Sequence, residues 1–148
     1  MKDATKIEMD NQALTNKDVK NQPIPPRTED VAKFVLDAAF KAHTALGPGL
    51  LESVYEACLV HELNLRALKV ESQVALPVVY DGMKIDTGIR LDILIEKQVI
   101  EEVKAVDNII PVYKAQLLTY LKLTGIRLGL LINFNVIHLR DGITQLVI

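Results

Sequence analysis

Arg90-Leu91-Asp92-Ile93-Leu94-Ile95, then Glu96-Lys97-Gln98, then Val99-Ile100-Glu101-Glu102-Val103-Lys104: two short, strongly apolar runs flank three polar residues, which reads as a β-hairpin. Alternate side chains of a strand share a face. On the first run this puts Leu91, Ile93 and Ile95 on one side and Arg90 and Asp92 on the other. On the second, Val99, Val103 and Ala105 share a side, with Glu102 and Lys104 opposite. If the turn is centred on Lys97, residues equidistant from it face each other, so Asp92 lies across from Glu102 and Arg90 across from Lys104. A two-residue turn at Glu96-Lys97 would instead pair Asp92 with Glu101. Facing Cβ atoms lie about 5 Å apart, and carboxylates that close repel unless a cation lies between them. A divalent metal, Arg90 or Lys104 can serve.

Upstream of this hairpin the pattern is helical. Thr28 is placed to cap a helix whose first turn carries Glu29 and Asp30; Val31, Phe34, Val35, Ala38 and Ala42 follow with helical spacing. Gly47-Pro48-Gly49 breaks it. A second helix is expected from about Leu50 to Leu68, with Leu51, Val54, Tyr55, Cys58 and Leu59 as its apolar stripe. Val70 to Tyr80 reads as a strand, Asp81-Gly82 as a hairpin turn, and Met83–Asp86 as a short partner. Downstream, Pro111 suits the first turn of a third helix that Gly125 ends. The near-continuous apolar run from Arg127 to Phe134 reads as a strand buried on both faces. Val136–Leu139 and Thr144–Ile148 suggest a closing hairpin around Asp141-Gly142. The order predicts an α/β fold, a mixed central β-sheet flanked by α-helices. Residues 1–28, polar and ending in a proline-rich exit, are expected to form a flexible tail, and residues 29–148 one domain.

The 148 residues are 49% hydrophobic and 24% charged, the balance of a single globular domain. A net charge of −2 excludes a histone-like polycation, although a local basic patch remains compatible with it. One cysteine, Cys58, excludes a disulfide framework and a cysteine-based zinc cluster. With no signal-like or membrane-spanning run, a soluble cytoplasmic protein is expected. His43, His61 and His138 show no ligand spacing. Gly47-Pro48-Gly49 lacks the ending of a phosphate loop, and no Gly-x-Ser-x-Gly elbow occurs.

The charges on the central hairpin have two readings. One is a solvated sheet face laced with ion pairs. The other follows from their order: two acids, then a lysine two residues beyond the second, on strands otherwise apolar enough to be covered. Hard oxygen ligands can hold Mg²⁺ beside a phosphodiester, where the ion lowers the pKa of a bound water. An ammonium can orient that water or stabilise the developing charge.

Asp92, Glu102 and Lys104, a D…E-x-K pattern on adjacent strands after a helix, resemble the PD-(D/E)xK nuclease superfamily. Gly49-Leu50-Leu51-Glu52-Ser53-Val54-Tyr55 is similar to the G-x-x-E-x-x-Y signature that names one of its families, and Gln116-Leu117-Leu118-Thr119-Tyr120 to the Q-x-x-x-Y motif of RecB-like members. The resemblance runs from about residue 31 to 148. It implies a restriction-endonuclease-like core with a Mg²⁺ or Mn²⁺ site. Asp92 and Glu102 would be metal ligands and Lys104 the catalytic lysine; Glu52 would complete or support the metal shell, and the Val103 carbonyl would be a further ligand. Leu91 stands where the superfamily's proline would be. Read from the residues alone, Glu52 sits well in a first helical turn. Tyr55 fits a core position with a satisfied hydroxyl. Gln116 and Tyr120 share a helical face with Tyr113, fit to touch nucleic acid, brace Lys104 or pack on the sheet.

A Mg²⁺-dependent nuclease is therefore expected, acting on nucleic acid, DNA rather than RNA. The rival is a catalytically silent nuclease-like fold used as a nucleic-acid-binding or protein-interaction module. Arg90, Lys104, Lys114, Lys122 and Arg127 are the few basic residues near the site. Binding should be weak and lost steeply with salt unless a homodimer or protein partner adds contacts.

Overall fold

The computed structural model describes residues 22–148. In chain order these form α1 (Pro26–Leu46), α2 (Glu52–Leu65), β1 (Val70–Ala75), β2 (Val78–Tyr80), β3 (Met83–Ile85), β4 (Arg90–Ile95), β5 (Val99–Lys104), α3 (Pro111–Thr124), β6 (Leu128–Asn133), a 3₁₀ turn (Leu139–Gly142) and β7 (Ile143–Val147). Five strands make one sheet in the order β1-β4-β5-β6-β7. Three neighbouring pairs are antiparallel and β5–β6 is parallel. The parallel pair needs a long crossover, which α3 provides. β2 and β3 form a separate two-stranded sheet, turned by Asp81 and Gly82 at φ 51° and 73°.

The apolar run of β6 is buried along its whole length because helices cover both faces of the sheet. On one face Val31, Val35 and Ala38 of α1 and Tyr55, Leu59 and Leu63 of α2 pack with Ile93, Ile95, Val99, Val103, Leu130 and Ile132. On the other, Leu117 and Leu121 of α3 pack with Val74, Leu91, Leu94, Ile100 and Leu131. Gly129 makes the second contact possible: a Cβ there would lie 2.9 Å from the Leu117 side chain. The mixed sheet flanked by helices is the expected fold class.

Several local expectations are corrected. Thr28 does not cap α1. Pro26 opens the helix, where its missing N–H leaves no bond unmade, and the buried Thr28 hydroxyl donates to Gln98 in the β4–β5 turn. Phe34, Leu51 and Val54 are exposed rather than buried, leaving Tyr55, Leu59 and Leu63 as the buried line of α2; Cys58 is half-buried. The strand expected from Val70 to Tyr80 breaks at Leu76-Pro77. The closing hairpin is absent: Leu139–Gly142 is a 3₁₀ turn, and β7 pairs with β6 instead. Leu91 does not share a face with Ile93, for a reason given below. The expected tail lies mostly in residues 1–21, outside the described residues; Ile24, just after them, packs on the core. No helix among the described residues is long and apolar enough to cross a membrane.

Candidate active site at the open end of the β4–β5 hairpin

Glu96 and Lys97 turn the hairpin at φ 53° and 52°. The rungs are Ile95–Val99, Leu94–Ile100 and Ile93–Glu101, the register centred on Lys97; the two-residue turn that would pair Asp92 with Glu101 is not formed. Beyond Ile93–Glu101 the ladder stops and side chains take over. The Val103 N–H donates to Asp92 Oδ2 at 2.9 Å, and the Asp92 N–H donates to Glu102 Oε1 at 3.3 Å. Each carboxylate thus binds the backbone of the opposite strand. No ion pair among the described residues includes Asp92, Glu102 or Lys104. Arg90, exposed, reaches only the Ile89 carbonyl at 3.5 Å, so it does not separate the two acids. Lys104 shares the Glu102 face by alternation, and its Nζ lies 4.5 Å from the centre of the Tyr113 ring on α3.

Ionising these crowded acids is therefore costly, because little lies beside them to offset the charge. Burial, the Asp92 charge and a hydrogen bond to Asp92 push the Glu102 carboxyl up to about 9, against a smaller opposing pull from Lys104. Glu101, on the opposite face of β5, is wholly buried, and among the described residues neither of its carboxyl oxygens has a hydrogen-bond partner. Burial, then the charges of Asp92, Glu102 and Glu56, hold it well above the usual carboxylate range. Tyr120 is raised by burial and by Glu102 and Asp92, which places its hydroxyl within their field. Gln116, on the same helix, is exposed.

Glu52 arrives from α2. Gly49, at φ 98°, is in a conformation that favours glycine, and Glu52 is the first helical residue after it. Its Oε1 accepts the Ala105 N–H at 3.3 Å, one residue past Lys104. Tyr55 locks this loop. Its hydroxyl donates to the Gly47 carbonyl at 2.6 Å and accepts from the Leu50 N–H at 3.2 Å, while its ring stacks on Phe134 at 4.6 Å. Fully buried, Tyr55 supports the loop from inside the core, its hydroxyl satisfied by backbone partners.

Four further residues belong to this neighbourhood. Asn133 anchors the end of β5: its Oδ1 accepts the Val106 N–H at 3.1 Å and its Nδ2 donates to the Val106 carbonyl at 2.9 Å. The Phe134 N–H donates to the Lys104 carbonyl at 2.8 Å. Glu56 lies one turn beyond Glu52, and its carboxyl is raised chiefly by burial, opposed by a hydrogen bond from Gln73. Gln73 joins Glu56 to Asp92. Of Glu56, Glu101, Gln73 and Asn133, the sequence carried a signal for two. Glu56 is four residues from Glu52 and so on its helical face, and Glu101 falls on the Val99–Val103 side of an apolar strand. For Gln73 and Asn133 there was none.

The donor set suits a hard cation: every candidate ligand is an oxygen, acids outnumber the cations beside them, and a buried carboxyl is left without a partner among the described residues. Among the described residues no three acidic or histidine side chains close a cage. An ion here would keep part of its shell for solvent or substrate oxygens, as Mg²⁺ commonly does.

A family model for the PD-(D/E)XK nuclease superfamily matches residues 29–146. No curated protein and no solved structure matches the chain. The matched span takes in nearly the whole described fold, including Glu52, Asp92, Glu102 and Lys104, and the chain belongs to the PD-(D/E)XK nuclease superfamily.

Proposed function

We propose that this protein is a Mg²⁺- or Mn²⁺-dependent nuclease that hydrolyses phosphodiester bonds, in DNA in preference to RNA, and that it is a GxxExxY-type member of its superfamily. The observation that carries this reading is the exchange of backbone bonds between Asp92 and Glu102 where their ladder ends, with Lys104 next on the Glu102 face. The GxxExxY assignment is supported by the part each motif residue plays. Gly49 turns the loop, Glu52 begins the helix facing Ala105, and Tyr55 ties the loop to the core.

Asp92 and Glu102 would hold the cation, with Glu52 and the Val103 carbonyl as further oxygen donors. Bound there, it would supply Lewis-acid activation of water and neutralise charge on the phosphate. Glu102 must shed its proton to serve, which the cation's own charge favours. Lys104 Nζ would hydrogen-bond the attacking water or a phosphate oxygen, with the Tyr113 ring limiting where the ammonium can go. Tyr120 and Gln116, on the same helix, would meet the nucleic-acid backbone, with Arg90 at the strand's outer end. Incubating the protein with end-labelled single- and double-stranded DNA and RNA, with Mn²⁺ and with chelator, tests this. Metal-dependent cleavage is expected. Retained binding with no cleavage would instead mark a silent binding module.

A further inference from the structure

Five non-glycine residues among those described have positive φ: Ala67, Gln73, Asp81, Glu96 and Lys97. Four lie in turns. Gln73, at φ 52°, lies inside β1. A left-handed conformation costs an ordinary residue about 1–2 kcal/mol, and Gln73 is exposed, so no buried packing of its own compensates. The rung it should form is the one opposite Asp92. β1 pairs with β4 through Ser72–Ile93 and Val74–Leu91, and the Gln73–Asp92 rung between them is missing. Across that gap the chain changes face: Ile93 packs under α1 and α2, whereas Leu91 and Val74 pack under α3. No residue is inserted, so the switch is a twist centred on Gln73 and Asp92.

The side chain uses the freedom this creates. Gln73 Nε2 donates to both carboxyl oxygens of Glu56, at 2.9 and 3.1 Å, and lies 3.5 Å from Asp92 Oδ1. One neutral amide thus spans an acid on α2 and an acid on β4 that would otherwise repel.

We infer that Gln73 is a positioning residue: strained out of the β1–β4 ladder, it clamps Glu56 beside Asp92 so that both carboxylates face the cation site together. The inference rests on the metal-dependent reading above and adds Glu56 to the groups that act on the ion. Backbone strain held at a site is retained where the geometry it creates is used.

The decisive variant is Gln73→Gly, which removes the clamp and relieves the strain, so stability and function should move in opposite directions. The melting temperature of the metal-free protein should hold or rise. Calorimetric Mn²⁺ affinity should fall on the order of tenfold, as for other residues that orient metal ligands. In cleavage assays kcat should drop while KM for the nucleic acid stays unchanged. Combined with Glu56→Ala, it should weaken Mn²⁺ binding no further than Glu56→Ala alone, because both remove one linkage. An unaltered Mn²⁺ isotherm in Gln73→Gly overturns the inference and leaves the nuclease reading standing. So does a fall in melting temperature that accompanies the loss of binding, the mark of a purely structural residue. A parent protein that takes up no Mn²⁺ overturns both.

Discussion

The two ends of the β4–β5 hairpin are built from the same two strands and could hardly differ more. At the turn end the ladder is complete, Ile95 and Val99 are wholly buried, and the loop is tied to α1 by the Thr28–Gln98 hydrogen bond and the Arg27–Glu96 ion pair at 3.1 Å. At the other end the β5 ladder stops short of Asp92, the β1 ladder skips it, and acids replace aliphatics. One end satisfies every demand of a stable sheet. The other keeps crowded acid groups in place, which only the surrounding packing can hold there, since ionising buried acids side by side opposes folding. On the proposed function, stability and reactivity are divided along one strand pair.

The sharpest way to break this division is Lys104→Ala. Cleavage should fall about 10²–10⁴-fold, the usual contribution of a positioned proton-transfer group, with the melting temperature nearly unchanged. A large loss of stability would show that the open end is structural after all. At the closed end the reverse is expected. Ile95→Ala should lose about 2–5 kcal/mol in denaturant unfolding, while the purified folded fraction keeps its activity per molecule.

The pH dependence of stability sharpens the same contrast. Glu102 titrates near its ordinary value when unfolded but is raised to about 9 in the fold. Its stabilising effect is therefore complete below about 4.5 and is lost as pH climbs through 9, by up to about 1.4 kcal/mol per unit. The raised carboxyls of Glu101 and Glu56 act in the same direction. Chemical denaturation of the chelator-treated protein between pH 5 and 9 should show the decline, and Mn²⁺ or Glu102→Gln should flatten it. The smallest effect belongs to Arg27→Ala. Its exposed ion pair with Glu96 should be worth at most about 1 kcal/mol by thermal melting, less at high salt.

Much of this was legible in the sequence because it depends on near neighbours. Pro111 and Gly125 bound α3 as expected, Gly125 closing it at φ 74°, since both act through their own backbone. Asp92 and Glu102 came together in the register centred on Lys97, one of the two that the turn sequence allowed. Where contacts from afar decide, the reading failed. Thr28 looked like a cap, but Gln98, seventy positions on, takes its hydroxyl. Val136–Leu139 looked like a strand, but β7 fills the edge of β6, and Gly142 sits so close to the Asn133 carbonyl that a Cβ there would lie 2.1 Å from it.

The sequence by itself determined the three helices and the central hairpin, and narrowed that hairpin to two registers, because backbone propensity, turn signals and alternation are local properties of the chain. Tertiary structure alone decided that Glu56 meets Asp92 through Gln73, that Glu101 is buried without a partner among the described residues, and that Leu91 leaves the face of Ile93. Those outcomes depend on which helix covers which side of the sheet, and on a twist at Gln73 that ordinary strand periodicity does not encode.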